Sequence, residues 1–326
     1  MIKEYIIDEQ IRLDKFLTNK LGENRNQIEQ LIKKGLVTVE AIQQSQQKKI
    51  TKSGLKLQVG QKVFVTLPEV VKEEALEVNF DIEIIYEDDY VLVINKPSGV
   101  IVHGAPSVKE ATLVDWLKLK NISLSTISGE ERHGIVHRLD KGTSGLMMVA
   151  KTNEAHVALS KQLEDKTMGR LYLAIIDLPL KDDCTVNKPI YRNPNNRLKQ
   201  GIVDHGKSAK TKFYKVHQSN DKKYELIAAK LFTGRTHQIR VHLESLNRHI
   251  IGDALYGFQG NLDKINRVNL HAYNLYFNHP ISGDQISFCV DMPKDMQDFC
   301  KTNFEMDIIN ERIDTKHLIN SFNNIN

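Results

Sequence analysis

Apolar residues recur with helical spacing in two segments near the start of the chain. The spacing holds first at Ile11, Leu13, Phe16 and Leu17, and then at Ile28, Leu31 and Ile32. Residues three and four positions apart share one face of a helix, so both segments predict amphipathic helices. The candidate N-cap of the second helix is Asn24, and Gly35 is placed to end it.

Strand-like patterns follow these helices. Val37 to Val39 opens a strand, and residues 55–67 alternate between apolar and polar around Gly60. Further along, Val91 to Ile94 is a short apolar run and Thr211 to His217 alternates again. Each of these segments is predicted to be a strand.

Length and composition predict two domains. The chain has 326 residues, of which 40% are hydrophobic, enough for a sizeable core. No stretch approaches the length of a transmembrane helix, and the opening Met1-Ile2-Lys3-Glu4 does not resemble a signal peptide. The three cysteines lack CxxC spacing, which favours reduced thiols in a cytoplasm. We expect an N-terminal domain at residues 1–67, a linker at 68–79, a main domain at 80–303 and an Asn- and Ile-rich tail at 304–326. The tail is expected either to form an appended helix or to fray.

The positive charge is confined to the first fifth of the chain. Residues 1–65 hold 12 Lys and Arg against 7 Asp and Glu, whereas the remainder holds 33 against 34. A basic patch of this kind gives salt-dependent, largely sequence-independent affinity for RNA. The N-terminal domain is therefore predicted to bind RNA.

The strongest chemical candidate is the segment HRLDKGTSG at residues 137–145. Alternation along an extended segment would direct Arg138 and Asp140 to the same side, bringing a cation and a carboxylate into one cleft. Asp, Gly, Thr and Ser are also ordinary turn residues, so on chemistry alone a solvated surface turn is as good an interpretation. This segment closely resembles the signature of the RluA-type family of RNA pseudouridine synthases.

Further segments resemble the family's other motifs, in the family's order. The first is NKPSG at residues 95–99, which with residues 100–103 resembles the family's strand-turn-strand element. The others are GRLYLA at 169–174, LFTGRTHQIRVH at 231–242, GDALYG at 252–257 and LHA at 270–272. The resemblance implies that Asp140 is the catalytic residue, that Tyr172 is the active-site tyrosine and that Arg240 pairs with Asp140. It leaves open whether Asp140 acts as a nucleophile or as a base at the sugar. Because an isomerisation adds and removes nothing, no cofactor or metal is expected.

The resemblance also implies contacts with RNA. A stacked base is reached only by flipping it out, and Arg138 is a candidate to occupy the vacancy. Arg235 is expected either to bind the RNA backbone or to brace the site, and His237 and Gln238 to support it. Tyr172 is expected to stack on the detached uracil and to help remove the C5 proton.

The N-terminal segment resembles an S4 RNA-binding domain. The matching polar positions are Arg12, Asp14, Lys15, Arg25, Asn26, Lys33 and Lys34. The chain departs from the S4 pattern at residues 40–49, where EAIQQSQQKK replaces a short turn. This polar insertion predicts a longer hairpin loop.

We therefore expect a small α/β S4 domain followed by a mixed α+β catalytic domain with a largely antiparallel sheet. Family members with an S4 domain, the RluC- and RluD-like enzymes, mostly modify large-subunit ribosomal RNA, and the resemblance predicts that substrate. We also expect a monomeric protein without a membrane partner. The alternatives are a transfer RNA pseudouridine synthase and a non-catalytic RNA-binding ribosome-assembly factor.

Three other patterns suggest different chemistry. Residues 201–208, GIVDHGKS, satisfy the phosphate-binding loop pattern, but they lack a preceding apolar strand and a predicted helix after them. Residues 142–145 approach a hydrolase nucleophile elbow, although the second Gly comes one residue early. The pairs His133 with His137 and His237 with His242 have no clear third ligand, so ordinary hydrogen-bonded histidines are the better interpretation.

Overall fold

The computed structural model describes residues 2–21, 25–41, 44–50, 52–66, 76–104, 108–127, 132–260 and 267–325, with the backbone alone at residues 25–27, 30, 41 and 44–49. The chain divides into two compact units, residues 1–75 and 76–326. The candidate N-cap Asn24 and most of the predicted linker lie outside the described residues. No helix within the described ranges is long and apolar enough to cross a membrane.

The first unit contains the two predicted helices and six strands. Its elements are β1 (Ile2–Ile6), β2 (Ile11–Arg12), α1 (Leu13–Leu21), α2 (Arg25–Lys33), β3 (Val37–Ala41), β4 (Gln44–Lys49), β5 (Lys56–Leu57) and β6 (Lys62–Thr66). An antiparallel sheet in the order β1-β6-β3-β4 and the short β2-β5 pair accompany the helices. Leu13, Leu17, Ile28 and Ile32 are buried in one core with the sheet residues. The helical spacing of these residues therefore reflects the packed face, as predicted.

Two details of this unit can be compared with the sequence patterns. Gly35 has φ +69°, and its amide donates to the carbonyl of Ile32 at 3.0 Å, which ends α2 as expected. The longer hairpin loop predicted for residues 40–49 is wrong. Gln44–Lys49 forms strand β4, with Ala41 directly opposite Gln44. Pairing with β3 satisfies the backbone of this polar segment, so its composition did not decide its conformation.

The second unit is built on a nine-stranded sheet. Its elements are β7 (Glu83–Glu87), β8 (Val91–Lys96), α3 (Leu113–Leu119), β9 (Ser144–Ala150), α4 (Asn153–Asp165), β10 (Gly169–Asp177), β11 (Cys184–Asn187), β12 (Ile190–Arg192), β13 (Gln200–Ile202), β14 (Lys210–Gln218), β15 (Tyr224–Leu231), α5 (Gln238–Glu244), β16 (Leu270–Asn278), β17 (Gln285–Cys289), α6 (Lys294–Asn303), α7 (Met306–Arg312) and α8 (Thr315–Asn324). The strand order is β11-β14-β15-β10-β16-β9-β8-β7, with β17 also paired to β16.

The sheet is antiparallel except where β16 pairs in parallel with β9, which confirms a mixed α+β unit with a largely antiparallel sheet. Alternate residues of β10 enter different cores, with Tyr172 and Ala174 in one and Leu171 and Leu173 in the other. Because both faces are covered, β9 and most of β10 consist of buried residues. Polar side chains on β9 and on the buried part of β10 therefore lie in the interior of the unit, away from solvent.

The tail forms helices that complete one of these cores. Ile309 on α7, and Leu318 and Phe322 on α8, are buried together with residues of β10 and β15. Of the two expectations for the tail, the appended helix is the one that the structure contains.

One local prediction is wrong, and one motif interpretation that the sequence context already opposed finds no support in the structure. The NKPSG turn follows β8, but residues 100–103 contribute only an isolated bridge between Ile101 and Thr112 rather than a second strand. The phosphate-binding loop interpretation also fails. Ile190 and Lys207 form a backbone bridge, and strand β14, not a helix, follows the motif. Without a helix N-terminus, the segment lacks the backbone donors that cradle phosphate in such loops.

Candidate active site

A cleft of about 640 Å³ opens in the second unit. Its lining includes Asp140, Tyr172 and Arg240, the three residues expected to carry the chemistry, together with Arg138 and Arg235. These residues come from three separate motifs, which the fold brings to one place. A volume of this size is typical of small-molecule sites and suits a single nucleotide.

The loop that presents Asp140 is held by the NKPSG turn. The amide of Gly99 donates to the carbonyl of Lys141 at 2.8 Å, and the hydroxyl of Ser98 donates to the carbonyl of Gly142 at 2.9 Å. All three residues from Arg138 to Asp140 line the cleft, but Leu139 is buried, whereas Arg138 is exposed and Asp140 is partly exposed. The segment is not part of a strand, but its side chains alternate as expected. The two motifs thus form one rigid support for the carboxylate.

Gly145 lies where this loop enters the sheet. Its φ is +109°, and a Cβ added there would stand 2.3 Å from the carbonyl oxygen of Ala272 on β16. Backbone in this region of φ favours glycine, and the approach leaves no room for a side chain. Gly145 therefore permits the parallel contact of β9 and β16 a few residues from Asp140.

Arg240 on α5 contacts two carboxylates, and its stronger partner is not the predicted one. Its Nε and Nη2 donate to Oδ2 and Oδ1 of Asp253 at 2.6 and 2.8 Å, whereas its Nη1 lies 3.5 Å from Oδ2 of Asp140. The guanidinium is also stacked 4.6 Å from the centroid of the Tyr256 ring. Burial lowers the pKa of Arg240, but the paired Asp253 outweighs it, so the net pKa is raised. Asp253 thus holds Arg240 in a fixed, charged position beside Asp140.

His237 and Tyr256 complete this side of the cleft. His237 Nε2 lies 4.0 Å from Oδ2 of Asp140, and its Nδ1 lies 2.8 Å from the Tyr256 hydroxyl. Burial lowers the pKa of His237, which favours a neutral ring at neutral pH. The hydroxyl of Tyr256 in turn accepts from the amide of Gln200 at 2.8 Å. These contacts are consistent with the expectation that His237 helps to hold the active site in place.

Tyr172 lies on β10 and is 4% exposed. Burial raises its pKa, the cation of Arg170 opposes the rise, and the carboxylate of Asp140 adds to it. The phenol is therefore protonated at neutral pH and shares the electrostatic environment of Asp140. Its role on a substrate stays a prediction.

Gln238 braces the turn that carries Arg235. Its Oε1 accepts from the amide of Arg235 at 3.0 Å and from the hydroxyl of Thr233 at 2.7 Å, and its Nε2 donates to the carbonyl of Lys210 at 3.0 Å. Arg235 is exposed, and its Nε donates to the carbonyl of Ser208 at 3.0 Å. Gln238 thus has the structural role expected of it, and Arg235 fastens two loops while facing solvent.

Arg138 is exposed at the rim of the cleft. Its Nη1 donates to Nε2 of His103 at 2.7 Å. The neutral imidazole orients the guanidinium without cancelling its charge, so Arg138 remains able to bind RNA.

The S4-like residues of the first unit differ in their availability. Arg12 makes two hydrogen bonds to Asp14, at 3.0 and 2.7 Å, so its charge is already paired. Lys15, Lys33 and Lys34 are exposed, and the side chain of Arg25 lies outside the described residues. The lysines are therefore the better placed of these candidates for RNA.

Three of the four histidines of the rejected metal pairs, His137, His237 and His242, make ordinary hydrogen bonds. His137 Nε2 accepts from the amide of Met148 at 3.1 Å, and the ring nitrogens of His242 contact Thr211 and the carbonyl of Lys188. Among the described residues, no group of three metal-binding side chains is found.

The hydrolase interpretation also finds no support. Ser144 is buried, and its hydroxyl lies 3.0 Å from Nδ1 of His271, whose Nε2 faces the carbonyl of Val290 rather than a carboxylate. This pair is absent from the cleft lining.

Comparison with known proteins gives the same two-part division. A family model described as RNA pseudouridylate synthase matches residues 90–245, and the S4 domain model matches residues 11–63. Two human proteins of known structure, RNA pseudouridylate synthase domain containing 1 and 4, resemble the fold with TM-scores of 0.53 and 0.52 at 24% and 22% identity. The match to the first covers 65% of this chain and 83% of that protein's chain, and the match to the second covers 67% and 92%, respectively.

Sequence relatives match over more of the chain. An RNA pseudouridine synthase of Helicobacter pylori strain J99 is 46% identical over 318 residues, which are 95% of each protein. The RNA pseudouridine synthase YlyB of Bacillus subtilis is 40% identical over 87% of this chain and 91% of its own length. Ribosomal large subunit pseudouridine synthase D of Zymomonas mobilis is 40% identical over 72% of this chain and 76% of its own length.

Proposed function

The chain belongs to the RNA pseudouridine synthase family, and from this premise we propose that it isomerises specific uridines of large-subunit ribosomal RNA with Asp140 as the catalytic carboxylate. Membership of the family makes the protein an isomerase that acts on RNA. The observation that carries the assignment of the residue is the carboxylate of Asp140 in the cleft, with Nη1 of Arg240 at 3.5 Å.

The reaction explains why a carboxylate is needed. The N1–C1′ bond of uridine breaks, the base turns, and C5 joins C1′. Ionised Asp140 either attacks C1′ as a nucleophile or removes a proton from the sugar as a base. Both routes use the carboxylate, which lies 3.5 Å from the fixed cation of Arg240. Because Arg240 is bound mainly to Asp253, it supports Asp140 without neutralising it in a close ion pair.

Tyr172 is the group we assign to the base. Its ring lies in the buried wall of the cleft, so it can stack on a uracil that has left the RNA helix. Its hydroxyl, which both donates and accepts, can help to transfer the C5 proton.

The RNA contacts are assigned by exposure. Arg138 at the rim is proposed to occupy the place of the flipped base, and Arg235 to bind a neighbouring phosphate. On the first unit, Lys15, Lys33 and Lys34 are proposed to bind backbone phosphates, with Arg12 and Arg25 as further candidates. The charge excess of residues 1–65 supports this assignment, because phosphate contacts dominate the affinity of such patches.

Ribosomal RNA is proposed over transfer RNA because relatives named for the ribosomal large subunit match over more than two thirds of this chain. A cytoplasmic location and a monomeric state stay predictions.

The test is a transcriptome-wide pseudouridine map of cells that lack the protein, rescued with wild type, Asp140→Asn or Asp204→Asn. Asp204 is exposed and lies outside the cleft lining, so this control removes the same charge elsewhere. We expect large-subunit sites to disappear in the deletion and to return with wild type and Asp204→Asn only.

The other outcomes contradict parts of the proposal. Lost sites confined to transfer RNA would favour the transfer RNA alternative. Full rescue by Asp140→Asn would remove Asp140 from the chemistry. If no site is lost and purified protein is inactive on ribosomal RNA, a non-catalytic assembly role replaces the proposal.

A further inference from the structure

Arg170 is a buried cation in the cleft without a carboxylate partner among the residues that the structure describes. It lies on β10, lines the cleft and is 7% exposed. Its Nε is buried without a hydrogen-bond partner, and its guanidinium makes no side-chain hydrogen bond or ion pair with any residue that the structure describes. A buried guanidinium is costly unless it is paired. The missing partner therefore points to a ligand.

The surroundings of Arg170 leave its charge uncompensated. The described carboxylates that line the cleft are those of Asp140 and Glu164, and neither lies within ion-pair distance of Arg170. His137 beside it is neutral, because burial and then the cation of Arg170 lower its pKa to about 3. A Cβ added at Gly234 would stand 3.0 Å from Nη1 of Arg170, so a glycine covers the guanidinium where a larger residue would crowd it.

The position of Arg170 relates it to the base rather than to the RNA backbone. Residues 170 and 172 lie on the same face of β10, so Arg170 adjoins the tyrosine assigned to the uracil. Arg138 and Arg235 are exposed at the rim, where they suit contacts with the RNA outside the cleft, whereas a flipped nucleotide places its base deepest.

The reaction creates the anion that such a cation binds. When N1–C1′ breaks, both electrons stay on N1, and the electron-deficient C1′ is satisfied by Asp140, either directly or by removal of a sugar proton. In both cases the uracil leaves as an anion, with its charge spread over N1 and the two carbonyl oxygens. The C5–C6 pair then forms the C5–C1′ bond. In the nucleophilic route the bond between Asp140 and C1′ breaks at this point, and in the base route Asp140 returns its proton to the sugar carbon. The C5 proton is finally lost as N1 gains one.

We propose that Arg170 binds a carbonyl oxygen of the detached uracil and stabilises its negative charge while the base turns. The inference rests on the proposed function of this cleft. It extends that function by naming the cation that binds the uracil anion after the N1–C1′ bond breaks. A preorganised donor in a dry site acts most strongly where charge develops. Arg170 gains and loses no proton in this step.

The test compares Arg170→Met and Arg170→Lys with wild type and with Arg192→Met, an exposed arginine outside the cleft lining. Three quantities are measured on a uridine-containing ribosomal RNA fragment: the single-turnover rate, the Kd in an Asp140→Asn background, and Tm. For Arg170→Met we expect a rate lowered by roughly 100- to 1,000-fold, as for other donors to developing anions. The Kd should stay within about twofold and Tm should be unchanged or higher, because the cation has no partner to lose.

Arg170→Lys should retain part of the rate, and Arg192→Met all of it. Guanidinium ion should partly restore the rate of Arg170→Ala, which a merely structural role would not allow. Gly234→Ala offers a second test that keeps the charge. By crowding the guanidinium it should lower the rate by about tenfold or more, with Tm unchanged.

A rate for Arg170→Met within a few-fold of wild type overturns the inference. So does a weakened Kd with an unchanged rate, which would assign Arg170 to a phosphate. A large fall in Tm without rescue by guanidinium would make the residue structural. If the wild-type protein itself is inactive, the proposed function is overturned. If wild type and Arg170→Met are both active while Asp140→Asn is inactive, only the role of Arg170 is overturned.

Discussion

The ion pair between Arg240 and Asp253 is expected to be the main electrostatic support of the cleft, and Asp253→Asn tests it directly. The change keeps the size of the side chain and one acceptor oxygen. It removes the charge and turns one acceptor into a donor that faces Nε or Nη2 of Arg240. Arg240 would then be left with Asp140, at 3.5 Å, as its remaining carboxylate.

The magnitude follows from burial. The side chains of Arg240 and Asp253 are 8% and 1% exposed. Removal of one partner from a buried pair costs about 3 to 5 kcal/mol, because it leaves an uncompensated charge. Since Asp140 remains near the guanidinium, we expect a loss of about 3 kcal/mol in the free energy of unfolding. A shift of Arg240 toward Asp140 should also lower the isomerisation rate by roughly 100-fold.

The same unit contains a matched control. Arg267 binds Asp295 with the same two-point geometry, at 2.6 and 2.9 Å, but the Asp295 side chain is 51% exposed. Exposed pairs contribute at most about 1 kcal/mol, so Asp295→Asn should cost that or less and leave the rate unchanged.

Urea denaturation of both variants measures the stability difference, and single-turnover kinetics measures the rate. A double-mutant cycle of Asp253→Asn with Arg240→Met isolates the pair, and the two losses should not add. Equal losses for Asp253→Asn and Asp295→Asn, or additive losses in the cycle, would refute the reasoning.

Two further predictions concern stability. Gly145→Ala should lower the free energy of unfolding by roughly 3 kcal/mol or more, since backbone strain at φ +109° adds to the overlap with Ala272. Gly99→Ala, at φ +92° with nothing within 4 Å of the added Cβ, should lower it by about 1 kcal/mol. Urea denaturation compares the two variants, and equal losses would argue against the close approach of Gly145 to Ala272. Glu225 is buried, and desolvation raises its pKa from 4.5 to about 7. Between these pH values the folded state retains a proton that the unfolded state releases. The free energy of unfolding should therefore fall by roughly 3 kcal/mol as the pH rises from 4.5 to 7. Glu225→Gln, which can still accept from the amide of Leu180, should flatten this slope when the free energy of unfolding is measured across that window, and an unchanged slope would contradict the assignment.

The sequence predicted much of the fold where patterns are local. The helical spacing of α1 and α2 and the short apolar run of β8 reflect residues that pack on near neighbours. The polar segment of β4 was misassigned because its pairing with β3 satisfies the backbone whatever the side chains are. The tail helices were undecided because their apolar residues gain burial only against β10 and β15, far away in the sequence.

The site was predictable to the extent that motifs carry it. Asp140, Tyr172 and Arg240 were expected, and the cleft contains all three. Asp253 lies in the GDALYG motif, for which the resemblance implies no role. The Asp in that motif is the one sequence signal that could have indicated the partner of Arg240. Arg170 also stood in a noted motif. The isolation of Arg170 is not a local property, because it depends on Gly234 and on which carboxylates the fold brings near it, and among the described residues none pairs with it.

Three of the arginines that line the cleft, Arg138, Arg170 and Arg240, are best distinguished by what already binds them. Arg240 is bound by Asp253, so its charge is held in place and reaches Asp140 only at 3.5 Å. Arg138 at the rim is oriented by a neutral histidine and keeps its charge for RNA. Arg170 has no described partner and is the most deeply buried of the three. Because a cation already satisfied by the protein has little to offer a new anion, the charge that appears on the detached uracil should be met by Arg170 rather than by Arg240.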